Sequence, residues 1–460
     1  MKIELTEQSK RALELMDGET PFVFITGRAG TGKSTLLKHY RDSCDRTIPV
    51  LAPTGVAALN VGGETIHRFF RFSPEINIHS ARRKGANTDN PMYAALDTII
   101  IDEISMVRAD LMDCVDAFLR TARLADKPFG GVRIIAIGDL FQLPPVVTKD
   151  DLASFGQMYK TPYFFSSRAL QELLDAGQVA FLELDKVFRQ KDKKFINLLN
   201  GIRDQSISPS NLDVLNGQVK RGALPEDAII LTPTNRAADL INDRRLVSLL
   251  SKAKRFEGHA SGDFGDRDMP TDLVLRLKRG ARVMCMVNDP AGAYVNGSLG
   301  WVKGFEDEDV LVELDDGPVV RIGEHVWNLF RSSFNVRSGQ IELEKLGSFA
   351  QIPLRLAWAI TIHKSQGKTF DQAVIDLDRG AFAAGQVYVA LSRCRSLDGL
   401  RLTKPVTMEQ VILDDCILDF LADMRGERGG RLDLFGSAES HGMDIEIPSS
   451  TDAVYIEDPN

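Results

Sequence analysis

The sequence has no apolar run near the ~18 residues needed to cross a bilayer, and its charged first ten residues lack the apolar core of a secretory signal. A cytoplasmic protein with no membrane partner is expected. Five cysteines (Cys44, Cys114, Cys285, Cys394, Cys416) lie far apart with no Cys-x-x-Cys pair, so their spacing supports neither a zinc site nor a disulfide framework. No segment repeats at a fixed period. Excess positive charge is missing too, since 56 Lys and Arg stand against 64 Asp and Glu. Much of that deficit is local. Leu432 to Asn460 holds seven acids and no Lys or Arg, which leaves the preceding residues at −1. A near-neutral body can still carry a basic groove for phosphates. With 43% hydrophobic and 26% charged residues the chain reads as globular, and 460 residues suggest about three domains.

Short apolar, β-rich runs alternate with helical patterns: Phe22–Thr26, Pro49–Ala52, Thr98–Asp102, Arg133–Ile137 and Val179–Leu184, then Ala228–Thr232 and Ala373–Leu377 around helical stretches such as Phe195–Arg203 and Gln386–Arg393. Continuous apolar strands separated by helices imply parallel sheets covered on both faces, here in two α/β halves. Between the later strands, Ala281–Ile322 is broken into short strands by Asn288-Asp-Pro290, Asn296-Gly297 and Asp316-Gly317. That pattern predicts a small antiparallel β-barrel inserted in the second half. After Arg425 the chain turns Gly-, Ser- and acid-rich, which predicts a flexible tail.

Gly27-Arg-Ala-Gly30-Thr31-Gly32-Lys33-Ser34 fits G-x-x-x-x-G-K-[ST] between an apolar strand and a helical start at Thr35. Such a loop turns backbone N–H groups around phosphates, with Lys33 reaching the β and γ phosphates and Ser34 holding Mg²⁺. A nucleotide with Mg²⁺ is therefore the expected cofactor. Ile99-Ile-Ile-Asp102-Glu103 ends another strand with two acids where open α/β sheets place ligands. Alone, such acids often cap a helix; beside a P-loop, Asp102 suits Mg²⁺ and Glu103 suits a base for attacking water. Gln142, after strand Ile134–Gly138, either senses the γ-phosphate or belongs to a turn stiffened by Pro144 and Pro145. Residues 66–84 combine Arg68, Arg71, Arg82, Arg83 and Lys84 with Phe69, Phe70 and Phe72. Those rings either stack on bases of a single strand or fill a local core.

Taken together, these residues resemble superfamily-one DNA helicases, and more narrowly the Pif-type family. The resemblance runs from about residue 5 to 420 and is most specific at Pro128-Phe-Gly-Gly131 with Gly138-Asp-Leu-Phe-Gln-Leu-Pro-Pro145. It extends to Leu5-Thr-Glu-Gln8, Ala52–Ala58, Gly62–His67, Leu184–Arg189, Ala357–Gly367 and Gln386–Arg395. It implies two tandem RecA-like P-loop motors, at 1–175 and 176–425, with a wedge insertion at about 62–84, an SH3-like barrel at 272–345 and an acidic tail at 426–460. It implies ATP bound between the motors, with Gln8 on adenine, Gly27, Gly30, Thr31, Gly32, Lys33, Ser34, Thr35 and Gly367 around the nucleotide, and Gln142 at the γ-phosphate. Arg189 and Arg393 become arginine fingers from the second half. A lone Arg is more often in a surface ion pair, but phosphoryl transfer needs positive charge on the transferred group.

The resemblance further implies a helicase moving 5′ to 3′ on single-stranded DNA, loading at single-strand/duplex junctions, in replication, repair or recombination on nucleoid-associated DNA. Pro53, Thr54, Thr65, His67 and Phe72 are the DNA candidates on the first motor. Thr361, His363, Lys364 and Ser365 are those on the second, where they and Gln366 suit coupling of the DNA track to the nucleotide. Arg431-Leu-Asp-Leu-Phe435 resembles the bacterial sliding-clamp peptide, with Arg where Gln is usual, so Leu432–Phe435 is a candidate clamp site. Two other readings stay open: a RecD-like helicase, disfavoured by Pro128–Gly131, and a nucleotide-dependent DNA-binding switch that does not translocate, which needs neither Glu103 nor the two arginines.

Overall fold

The computed structural model describes residues 6–44, 47–147, 149–220, 228–265, 268–315, 317–335, 340–377, 380–381 and 383–427. Six strands, β1 (Phe22–Gly27), β2 (Val50–Ala52), β3 (Glu64–Thr65), β4 (Thr98–Ile101), β5 (Arg133–Ile137) and β6 (Val179–Leu184), form one all-parallel sheet. Their order is β3-β2-β4-β5-β1-β6. β1 and β4 are buried along their whole length, as expected for strands with helices on both faces. The order places the C-terminal ends of β1, β4 and β5 side by side, so the P-loop, Asp102-Glu103 and Gly138–Gln142 leave the sheet at one edge.

A second parallel sheet joins Ala359–Thr361, Ile229–Thr232, Ala373–Ile375 and Leu400–Leu402 in that order. Antiparallel strands intervene. Five of them, Val319–Ile322, Asp309–Leu314, Leu299–Glu306, Arg282–Cys285 and Leu354–Leu356, pack around an apolar core of their own. A long hairpin, His325–Asn335 with Gln340–Gln351, adds His259–Gly262 at its edge. Antiparallel structure therefore extends to both sides of 272–345, because these flanking strands alternate polar and apolar residues with no Asn-Gly or Asp-Gly signal.

Two boundaries differ from the sequence expectation. β6 lies beyond residue 175, yet it pairs with β1 in the first sheet. The helix Asp415–Met424 returns to the first half, where Phe420 stacks on Phe165 and meets Phe24. Both are long-range pairings that local patterning does not encode. The wedge segment also resolves differently. Phe69, Phe70 and Phe72 are buried with Tyr93 and Phe118 in a cluster of edge-on and stacked rings, so they fill a core. The residues that carry the acidic tail and Leu432–Phe435 lie outside the described residues.

Candidate active site

The P-loop joins β1 to the helix Lys33–Ser43, and Gly32 (φ 87°) supplies the left-handed turn that starts the helix. Lys33 is folded back on the loop, its Nζ donating to the carbonyls of Gly27 (2.6 Å) and Arg28 (3.1 Å). Burial lowers its pKa, while Asp139, Glu103 and Asp102 oppose that shift. Gly30 (φ +82°) lies against the connector leaving β6, and a Cβ there would come 2.6 Å from Arg189 Cβ.

Asp102 and Glu103 close β4. Burial raises both carboxyls above the ordinary range; the charge of Asp102 pushes Glu103 further up, and Lys33 pulls both down. Glu103 holds φ 51°, a left-handed conformation uncommon for a side chain of this size. Next to it, Gln142 donates to the buried Asp139 at 3.0 Å. Arg203 donates to the same carboxylate at 3.4 Å and lies over the Phe141 ring at 3.7 Å, which fixes the loop. Ser34 and Asp102 border one cavity of about 660 Å³. Two oxygen donors fit Mg²⁺, which takes few protein ligands and fills its octahedron with phosphates and waters. Among the described residues no group of three acids, His or Cys forms a closed metal cage.

The second half completes the cleft. A cavity of about 420 Å³ is lined by Gly30–Thr35, Glu103 and Gln142 from the first sheet, with Arg189, Gly367 and Arg393 facing them. Arg393 is 1% exposed. Its guanidinium meets Val389 O, Ser392 Oγ and Ser365 O. Burial, then the charge of Arg189, takes its pKa down to about 9. Arg189 donates to Ser392 O at 3.2 Å, and burial lowers its pKa as well. Neither arginine forms an ion pair among the described residues. Glu103 and Asp139 act on Arg393 from a distance, and an incoming polyanion would neutralise these two buried cations.

Helix Gln386–Ser392, which presents Arg393, is seated on the first half at two points. Tyr388 OH accepts from Ala29 N–H of the P-loop at 2.9 Å. Gly385 (φ +69°) lies so close to the Gln142 loop that a Cβ would come 2.3 Å from Gln142 O and 2.4 Å from Phe141 O. Gly385→Ala is therefore expected to tilt this helix and lower kcat for nucleotide hydrolysis by about 10²-fold. Steady-state turnover checks this, and wild-type kcat in the variant would contradict it.

The remaining predicted residues separate. Gln8 Nε2 donates to Asp185 (2.6 Å) and its Oε1 accepts from Asp185 N–H (3.0 Å), three residues ahead of Phe188, whose ring borders the cleft; Gln8 itself does not line it. Thr54, His363 and Lys364 line the 660 Å³ cavity together with Gln366 and Lys368, at the seam of the two halves. Pro53 follows β2, half-buried beside Thr54. Thr65 caps the helix Ile66–Phe69 and borders, with His67, Arg68, Arg71 and Arg331, a basic groove against the hairpin.

Three of the DNA candidates are buried. Ser365 is buried and its hydroxyl donates to Ile362 O. Thr361 is buried and accepts from Lys364 N–H at 3.2 Å, which holds the turn that follows. Phe72 is 7% exposed and packs on Phe70 and Phe118, so no base can stack on its face.

A family model described as PIF1-like helicase matches residues 5–212. ATP-dependent DNA helicase PIF1 from Homo sapiens is 38% identical over 455 residues, covering 94% of this chain and 65% of that protein. ATP-dependent DNA helicase Pif1 from Bdellovibrio bacteriovorus is 31% identical over 437 residues, covering 92% of this chain and 93% of that protein. The structure of Bacteroides sp Pif1 in complex with ADP-AlF4 superposes with a TM-score of 0.83 at 34% identity, over 94% of this chain and all of that one. The chain belongs to the PIF1-like helicase family. It spans about two thirds of the length of the human relative and nearly all of the Bdellovibrio one. The cleft lies between two parallel-sheet halves.

Sequence reasoning within this family missed Phe188, Tyr388, Gly385 and the pairing of Asp139 with Arg203. Phe188 and Tyr388 do lie inside the Pif-type stretches Leu184–Arg189 and Gln386–Arg395, so their motif membership was the available signal.

Proposed function

We propose that the chain is an ATP-dependent DNA helicase, with motors at about 1–175 and 176–425 adjusted for β6 and the C-terminal helix, acting on cytoplasmic, nucleoid-associated DNA. One observation carries this reading: the P-loop of the first sheet and the unpaired Arg393 of the second line a single cleft. Backbone N–H groups of Gly30–Thr35 take the phosphates, and Lys33 exchanges the carbonyls of Gly27 and Arg28 for the β and γ oxygens. Ser34 and Asp102 would hold Mg²⁺, which would supply charge neutralisation for the phosphates. Glu103 accepts the proton of the attacking water, Gln142 meets the γ-phosphate, and Arg189 and Arg393 stabilise charge on the transferring group. Gln8 supports the adenine side of the cleft by holding, through Asp185, the segment that bears Phe188. Because Arg393 comes from the other half, hydrolysis and closure of the cleft are coupled.

The DNA reading rests on the seam lined by Thr54, His363 and Lys364, on the groove bordered by Arg71 and Arg331, and on the names of the relatives, each an ATP-dependent DNA helicase. Bacteroides Pif1 has also been solved bound to ssDNA. Single-stranded DNA and its junctions with duplex are the proposed partners, with movement 5′ to 3′. Leu432–Phe435 enters only as a sliding-clamp peptide, on its apolar pattern. ATP turnover titrated with single-stranded DNA tests the function: strong stimulation is expected, and turnover indifferent to DNA would favour the non-translocating switch. Lys364→Ala is expected to weaken single-strand binding alike for all sequences and to lower the magnitude of the log K against log [salt] slope by about 0.7. Fluorescence anisotropy across a salt series measures it; an unchanged slope would remove Lys364 from the DNA track.

A further inference from the structure

Two cavities meet at the phosphate end of the cleft. The cavity of about 420 Å³ and that of about 660 Å³ share Ser34, Thr35, Glu103 and Gly367. The first also takes in Phe188, Arg189 and Arg393; the second does not. Instead it runs on along the helix Lys33–Ser43, where Ser34, Leu37, Lys38 and Arg41 fall on one face at spacings of three and four residues. At ~1.5 Å per residue, Lys38 lies ~6 Å and Arg41 ~10 Å beyond Ser34 along the helix axis. Across the cavity, the half-buried Lys368 donates to Asn296 Oδ1 at 2.6 Å, and Asn296 Nδ2 lies 3.5 Å from Asn60 Oδ1 of the first half. Burial, then the charge of Arg355, takes the Lys368 pKa down to about 8. Past Asp102 and Glu103, at the border with the cleft, the lining carries no acid, while Lys38, Arg41, Lys364 and Lys368 supply positive charge. Leu37, Val56, Val61 and Met106 make much of the remaining wall apolar.

We propose that the 660 Å³ cavity is the exit route for inorganic phosphate, with Lys368 and Lys38 as its stepping points. The inference rests on the helicase reading above and deepens it by assigning a product path to the same site. After hydrolysis the cleaved phosphate lies on the Glu103 side of the P-loop, and ADP stands between it and the Phe188 mouth of the first cavity. The way left open crosses the shared border at Ser34, Glu103 and Gly367. A phosphate dianion that gives up Lys33 and the two arginines gains nothing from an apolar wall. Lys368 on one side and Lys38 on the other supply donors in succession, and Lys38 is exposed, so the second step ends in solvent. ATP enters and ADP leaves on the Phe188 side, and the two products depart in different directions.

Lys368→Met, Lys38→Met and the double variant are compared with wild type in a single turnover of ATP, with and without saturating single-stranded DNA. Acid quench reads bond cleavage, and a fluorescent phosphate-binding protein reads phosphate in solution. Cleavage and ATP Kd should stay within about twofold, because neither lysine reaches the reacting atoms. Phosphate release in the double variant should slow by about tenfold or more, the loss of a hydrogen bond to a charged group, so that cleavage runs ahead of release. Lys368→Arg should restore release. Lys38→Met alters an exposed side chain and shows the same delay in smaller measure, which carries the test if Lys368→Met fails to fold. Release that keeps pace with cleavage in the double variant would overturn the inference. So would lost single-strand affinity with release unchanged, which would place both lysines on the DNA track. Wild-type turnover indifferent to DNA would overturn the helicase reading and leave the exit route standing.

Discussion

Arg393→Ala is expected to reduce DNA-stimulated ATP turnover by about 10³-fold or more. The side chain is buried, hydrogen-bonds to backbone and hydroxyl oxygens, and faces the P-loop cleft in no direct ion pair among the described residues, with Glu103 and Asp139 acting on its charge from a distance. Relief of a desolvated buried charge offsets part of the loss of its three hydrogen bonds, so the thermal midpoint should fall little for a residue this buried. Loss of turnover with retained stability distinguishes a group held for the transition state from one held for packing. Arg393→Lys should remain severely impaired, because an ammonium cannot reproduce the planar fork that meets two phosphate oxygens. Turnover within tenfold of wild type in the Ala variant would place the finger elsewhere, with Arg189 the next to test.

Glu103→Gln should lower turnover by about 10²- to 10⁴-fold while nucleotide and DNA binding persist. Glutamine fills the same volume and tolerates the same strained backbone, so only the basic oxygen is lost. The sign of the pH dependence follows from burial. The Glu103 carboxyl is raised above the ordinary glutamate range, so protonation disables the base at a pH where an exposed glutamate would still be ionised. The acid limb of wild-type turnover is expected above that ordinary range, and the residual rate of Glu103→Gln should lack it. A variant with wild-type turnover, or one that retains the acid limb, would assign the proton transfer to another group.

Much of this site was legible because its parts are local. The P-loop lies within eight residues, Asp102-Glu103 at one strand end, and Arg393 in a short helical motif. Each needs only a strand edge or helix start to place it. What the sequence did not disclose is long-range. Tyr388 meets Ala29 across 359 residues, Gln366 meets Glu103 across 263, and Gly385 is needed only because a loop from the other half lies on it. β6 looks like any half-buried strand until its partner is known. The wedge phenylalanines show the opposite error. Cations beside rings suggest a nucleic-acid surface, but Phe69, Phe70 and Phe72 sit where Tyr93 and Phe118 give them a core to fill, while His67, Arg68, Arg71 and the little-exposed Phe72 border the groove. Ser365 and Thr361 were chosen as polar contacts and instead build the turn that aims their neighbours.

A triphosphate gripped by both halves is expected to drive the chain along one DNA strand. Strand separation on duplexes with a single 5′ or 3′ tail, with ATP and Mg²⁺ supplied, tests it most directly. Release is expected from the 5′-tailed duplex, with none without ATP and none from Arg393→Ala. Preferential release from the 3′-tailed duplex would contradict the direction. ATP hydrolysis with no separation of either duplex would contradict the engine.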